Sequence, residues 1–207
     1  MRFLIVGHAP FLASDIIREA AKGKCIIALD GACDKLTEIN VVPNIILGDF
    51  DSVSLKAAAY WGIHERFDDI RPDSEPYRGH HGVKIIPVKD QNLTEMMKAI
   101  QYCDEQHAVS IDIVCALGGR MDQTFSNCRV LRSAYKKDRP IFLHTDHETI
   151  FFAKDEPVEI RGNKGDYCGI FAFPSGAFSS KGLKYNGDNY PLDFGYSESV
   201  SNALNEP

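Results

Sequence analysis

Phosphate-binding loops of the familiar kinds are missing from this sequence. There is no G-x-x-x-x-G-K-[ST], which excludes a P-loop enzyme, and no G-x-G-x-x-G after the first apolar run, which disfavours dinucleotide binding of the Rossmann type. A G-x-S-x-G elbow and any His/Cys cluster with metal-ligand spacing are absent too. No Arg/Lys run stands out, and 23 basic against 29 acidic residues leave a net charge of −6, so nucleic acid is not an expected partner. An anionic substrate must then be met by a metal ion or by a few placed cations. No segment approaches the about 18–20 apolar residues of a membrane-spanning helix. The apolar run at residues 3–6 is too short for a signal-peptide core. Six cysteines are scattered without a C-x-x-C pair, and Cys25 and Cys115 sit in apolar runs, which reads as reduced core thiols. The expectation is a soluble, cytoplasmic protein with no membrane partner.

What is present is strand–helix alternation over the first two-thirds of the 207 residues. Strands are expected at 3–6, 25–29, 45–47, 83–87, 111–117 and 141–143, with helices at 11–22, 56–60, 93–100 and 124–136. Leu93, Met96, Met97 and Ile100 recur at helical spacing. This order predicts an α/β fold, a mainly parallel Rossmann-like sheet with helices on both faces. From residue 146 the pattern changes to short β-rich runs, 149–153 and 167–173, divided by Gly, Pro, Asn and Asp. We therefore expect an α/β domain over 1–145 and a small all-β domain, a β-sandwich, over 146–207. Residues 66–82 are polar and turn-rich, an expected surface excursion with the character of a lid. His80-His81 within it reads as a solvated loop in preference to a metal site.

The informative motifs all follow strands. Asp30-Gly31 follows 26–29; Gly48-Asp49-Phe50-Asp51-Ser52 follows 45–47; Asp90-Gln91-Asn92-Leu93-Thr94-Glu95 follows 83–88; Gly118-Gly119-Arg120-Met121-Asp122-Gln123 follows 113–117. A parallel sheet gathers all four on its carboxyl edge, where ligands bind in open α/β sheets. If Asp49 and Asp51 continue the strand, they point the same way while Phe50 anchors the backbone. Clustered carboxylates repel one another unless a cation sits among them, and hard oxygen donors suit Mg²⁺ better than zinc. Metal, Arg and a glycine-rich turn are the equipment of phosphoryl-type transfer. Each piece also has a plainer reading. Asp51 or Ser52 could cap a helix, Asn92-x-x-Glu95 has the spacing of a capping box, Asp30-Gly31 could be a simple turn, and Arg120 could bridge to Asp122.

Together these motifs resemble the thiamine pyrophosphokinase family. The resemblance runs from Leu29-Asp30-Gly31-Ala32-Cys33-Asp34 through Pro43 to Ser52, then Lys89-Asp90 to Thr94-Glu95 and Gly118 to Gln123. It ends on Gly182-Leu183-Lys184-Tyr185 and Ser199-Val200-Ser201-Asn202. It implies transfer of pyrophosphate from ATP to the thiamine hydroxyl, with Mg²⁺, giving thiamine diphosphate and AMP. It implies a homodimer with active sites at the subunit interface. Asp49, Asp51 and Glu95 would surround metal and triphosphate, with Asp30 nearby, Gln91 orienting phosphates and Asp122 and Gln123 close by. Arg120 would neutralise charge on the transferred group. Ser199, Ser201 and Asn202 would help form the thiamine pocket. Glu95 stands where the family usually carries Asp, and Asn92 where a further acid is common. The chain ends at Pro207, soon after the last motif, so a smaller closing sheet is expected. Two alternatives are a pyrophosphokinase for another hydroxymethyl heterocycle, such as a pterin, and a non-catalytic thiamine- or nucleotide-binding regulator.

Overall fold

Strand β1 (Arg2–Val6) is apolar at every position after Arg2, and a strand with two apolar faces needs cover on both. Leu4 and Val6 enter one core with Ile17, Leu36 and Trp61, whereas Phe3 and Ile5 enter another with Met96, Ile100 and Leu131. The computed structural model, which describes residues 1–65, 68–71 and 74–206, sets β1 inside an eight-stranded sheet. The other strands are β2 (Cys25–Leu29), β3 (Ile45–Gly48), β4 (Tyr77–Arg78), β5 (Lys84–Pro87), β6 (Ser110–Val114), β7 (Ile141–His144) and β8 (Thr149–Ile150). Their spatial order is β4-β5-β3-β2-β1-β6-β7-β8. All pairings are parallel except those of the edge strands β4 and β8. Helices α1 (Ser14–Ala21), α2 (Ala32–Glu38) and α3 (Leu55–Trp61) cover one face, and α4 (Glu95–Glu105) and α5 (Met121–Ser133) the other. The α/β architecture with helices on both faces is the one expected.

Three local differences have physical causes. Helix α2, seven residues long, was hidden behind the turn-like Asp30-Gly31. Strand β6 stops at Val114, short of residue 117, because Cys115 takes a left-handed φ of 56° and its carbonyl accepts the Ala9 N–H at 2.9 Å. The described part of the 66–82 excursion is anchored: Ile70 is 2% exposed, and β4 pairs with β5. Arg66, Phe67, Pro72 and Asp73 lie outside the described residues, and with them part of the lid reading. His81 stacks on Tyr60 at 4.5 Å between ring centroids, so this histidine packs on α3. Among the described residues no helix is long and apolar enough to cross a membrane.

Contacts group the chain into two compact units, Met1–Lys154 and Asp155–Pro207. The change of character near residue 145 falls inside the β7–β8 hairpin, which pairs Leu143 with Ile150. The second unit contains no helix among its described residues. Its regular pairing is one antiparallel sheet of β9 (Ser175–Phe178) and β10 (Tyr190–Asp193). Run 167–173 makes isolated bridges, Tyr167 with Ala203 and Ile170 with Ser199, instead of a continuous ladder. Cys168, Leu183 and Leu204 form its small core.

Candidate active site

Strand β3 ends at Gly48, so Asp49 and Asp51 lie in the turn beyond it. The expected strand alternation is therefore not what brings them together. Phe50, wholly buried, takes φ 61°, and the Asp51 N–H donates to Asp49 Oδ1 at 3.3 Å. This closes a small side-chain-to-backbone turn that aims both carboxylates back over the strand end. Neighbouring β2 delivers Asp30 at φ 41°, its N–H donating to the Leu47 carbonyl at 3.0 Å. Asp30 Oδ2 accepts from the Ser52 hydroxyl and, at 3.3 Å, from the Ser52 N–H, while Gly31 N–H donates to Ser52 Oγ at 3.2 Å. Asp30 Oδ1 is buried and has no hydrogen-bond partner. One oxygen each from Asp30, Asp49 and Asp51 lies within 4.8 Å of the others.

Glu95 completes the acidic edge. The capping-box reading fails here, because the cap of α4 is Thr94, whose hydroxyl accepts the Met97 N–H at 3.3 Å. Asn92 instead donates twice to Asp90 Oδ1, at 2.8 and 2.9 Å, shaping the loop before the helix. Glu95 is thus the first helical residue and is free of capping duty. Gly48 makes room for it: a Cβ there would lie 3.0 Å from Glu95 Oε1 and 3.1 Å from Asp30 Oδ1. Gln91 Nε2 donates to Asp49 Oδ2 at 3.0 Å.

The electrostatics follow from this crowding. Burial first, then the Asp49 and Asp51 charges, pushes Asp30 up to about 6. Burial, then the Asp30 and Asp49 charges, pushes Glu95 up to about 8, partly offset by an Asp49 amide and the Lys98 charge. A buried, unpartnered carboxylate oxygen beside further carboxylates is an arrangement that a hard divalent cation completes. The donor set is oxygen only, which fits Mg²⁺ and not a nitrogen- or sulfur-seeking metal.

Arg120 is placed differently. Its guanidinium grips Asp122 in a fork, Nε to Oδ1 at 3.1 Å and Nη2 to Oδ2 at 2.5 Å, so the simple bridge is the pairing observed. Asp122 also accepts the Gln123 N–H at 2.9 Å. Arg120, Asp122 and Gln123 thus form their own exposed cluster at the start of α5, and among the described residues none of their hydrogen bonds reaches Asp30, Asp49, Asp51 or Glu95. Sequence reasoning missed His8, whose ring stands where a Gly31 Cβ would be, 2.4–2.9 Å from it. Its position just after β1 on the same carboxyl edge was the signal available.

Two family models divide the chain between them. That of the thiamin pyrophosphokinase catalytic domain matches residues 18–143, and that of the vitamin B1 binding domain matches 150–207. The chain belongs to the thiamin pyrophosphokinase family. Thiamine pyrophosphokinase 1 of Oryza sativa subsp. japonica is 28% identical over 176 residues, 79% of this chain and 60% of the rice protein. The chain therefore spans about three-fifths of that relative's length. Thiamin pyrophosphokinase 1 of Caenorhabditis elegans is 26% identical over 197 residues, 88% of this chain and 72% of the worm protein. The crystal structure of thiamine pyrophosphokinase from Bacillus subtilis superposes with a TM-score of 0.76 at 20% identity, covering 99% of this chain and 90% of that one. At such identity the likeness speaks for the fold alone.

In the thiamin pyrophosphokinase frame, the second unit carries the Ser-Val-Ser-Asn motif. Asn202 is 1% exposed and its amide is fully used. Oδ1 accepts from Tyr185 N–H at 3.0 Å and Ala203 N–H at 2.9 Å; Nδ2 donates to the Tyr185 carbonyl at 2.7 Å and Ser199 Oγ at 3.0 Å. Two donors and two accepted bonds leave this amide no spare donor. Asn202 therefore fastens the Lys184-Tyr185 segment to the Ser199 turn, and Ser201, exposed at φ 58°, is the side chain left outward.

Proposed function

We propose that this chain is a thiamine diphosphokinase, moving a pyrophosphoryl group from ATP to the thiamine hydroxyl and releasing AMP. The observation that carries the reading is the convergence of Asp30, Asp49 and Asp51, with an orphaned buried oxygen, at the carboxyl edge of a family-matched sheet. Mg²⁺ held by Asp49, Asp51 and Glu95, with Asp30 beside them, would neutralise phosphate charge and fix the triphosphate for attack. Gln91, tied to Asp49, orients phosphate oxygens with its amide. Arg120 leaves Asp122 to meet negative charge on the transferred group, a change that an exposed fork permits at small cost. Asp122 and Gln123 hold the arginine ready in the resting state. No named base is required, since a loose transition state develops little need to remove the hydroxyl proton early.

In this reading the unit Met1–Lys154 binds ATP and Mg²⁺, and the unit Asp155–Pro207 binds thiamine. Ser199 and Ser201 line the thiamine pocket, with Asn202 as the brace behind them. The functional form is a cytoplasmic homodimer with each active site at the interface, so sedimentation should give about twice 23.1 kDa. The test is direct: purified protein with ATP, Mg²⁺ and thiamine, following AMP and thiamine diphosphate together. Equal amounts of both, lost on chelation, are expected. Asp51→Asn should abolish turnover while leaving the melting temperature close to wild type. AMP without thiamine diphosphate, or full activity in Asp51→Asn, would overturn the assignment of reaction or of residue.

A further inference from the structure

The loop after β1 crosses the gap between the two charged clusters of the carboxyl edge. Strand β1 lies between β2, which leads into Asp30, and β6, which leads towards Gly118-Gly119-Arg120. Backbone hydrogen bonds hold its continuation, Gly7 N–H to the Val114 carbonyl and Ala9 N–H to the Cys115 carbonyl, both at 2.9 Å. Pro10 then packs beside Gly119, where a Cβ would lie 3.4 Å from Pro10 Cδ. This leaves His8 on the acidic side. Its ring lies over Gly31, where a Cβ would stand 2.4 Å from Cε1, 2.6 Å from Nδ1 and 2.9 Å from Nε2. Gly31 is in turn fixed to the acidic cluster, since its N–H donates to Ser52 Oγ and the Ser52 hydroxyl donates to Asp30. The ring therefore keeps register with the carboxylates although His8 is exposed. Among the described residues neither ring nitrogen makes a hydrogen bond.

Asp30, Asp49, Asp51 and Glu95 by themselves repel a triphosphate, and a cation among them offsets only part of that charge. Arg120, beyond β1 on the other side, is held by Asp122. In the loop between, residues 7–12 read Gly-His-Ala-Pro-Phe-Leu, so His8 is its one polar side chain. A neutral imidazole has one N–H donor and a protonated one has two, so the ring offers a phosphate oxygen a donor in either state. We propose that His8 is a phosphate-binding residue of the transfer reaction. Its ring N–H donates to an oxygen of the pyrophosphoryl group, between the acidic cluster and Arg120. The bond strengthens as charge builds on the group in transfer, and no proton leaves the ring. Gly31 is then the residue that lets this ring lie flat at the edge. This inference rests on the kinase reading above and adds to it a contact that the carboxylates cannot make.

Two variants of the full chain separate the donor from the ring. His8→Phe keeps a flat ring on Gly31 and removes the donor, whereas His8→Gln keeps an N–H donor and removes the ring. With ATP, Mg²⁺ and thiamine, His8→Phe should lower kcat at least about tenfold, short of the about 10²–10³ of a fully enclosed donor. Its KM for thiamine and its melting temperature should stay close to wild type. His8→Gln should recover most of the loss. A second readout needs no turnover. In ¹⁵N-labelled wild type saturated with Mg²⁺, the His8 ring signals, assigned by their absence from His8→Phe, should shift when inorganic tripolyphosphate is added. Full kcat in His8→Phe, equal loss in both variants, or ring signals that ignore tripolyphosphate would overturn the proposal and leave the kinase reading standing. A wild type that forms no thiamine diphosphate would overturn that reading, and the role of His8 with it.

Discussion

Glu95 and Asp30 hold protons more tightly folded than unfolded, since burial and like charges raise both. The folded state therefore binds more protons in the window between the unfolded values and about 6 for Asp30 or about 8 for Glu95. Their contribution to stability is fully present below that window and is lost as pH rises through it. For metal-free protein, Glu95→Gln should thus be nearly neutral at about pH 4 and stabilising near pH 8, by roughly a few kcal/mol, with the gap closing in excess Mg²⁺. Thermal melts of both proteins at the two pH values check this, and a gap that shrinks with rising pH would contradict it. Gly48 makes a separate prediction. Its substitution by Ala pushes a methyl group against Glu95 and Asp30, so Mg²⁺ affinity should drop about tenfold or more with the fold retained, measurable by titration.

Two helices of similar design let the role of a cap be separated from the role of the site. Ser54 caps α3, accepting from Ala57 N–H at 3.1 Å, and Thr94 caps α4 in the same way. Ser54→Ala and Thr94→Ala should each cost about 1 kcal/mol of stability in denaturant melts. Only Thr94→Ala should also lower kcat, because Glu95 is the next residue; equal activity in the two variants would refute that link. Strands and their order of appearance were legible because apolar runs are local, and so was the gathering of acidic residues on one edge. The route by which Asp49 and Asp51 converge was not, since it depends on the left-handed turn at Phe50. Neither was Lys98, which sequence spacing places on a helix and only packing buries. Nor were the partners of Asp112 inside β6, which is satisfied by Lys24 at 2.8 Å and His144 at 2.7 Å, both remote in sequence.

At the scale of the whole chain, Asp30, Asp49 and Asp51 follow β2 and β3 and converge once those strands pair, while Glu95 at the start of α4 joins them once β5 has paired with β3. Parallel pairings across such separations form late, because loop closure precedes the reward. Mg²⁺ should therefore slow unfolding in proportion to its occupancy and leave the refolding rate unchanged in stopped-flow experiments. Faster refolding with Mg²⁺ would mean that the cluster forms early. The position of β1 has a consequence for synthesis. It is made well before β6, yet it pairs on one side with β2 and on the other with β6, whose residues 110–114 follow much later. Until then a growing chain carries Phe3, Leu4, Ile5 and Val6 on an open edge, the kind of edge that recruits other chains. Translational pausing before residue 110 should therefore be the step at which this protein most needs a chaperone.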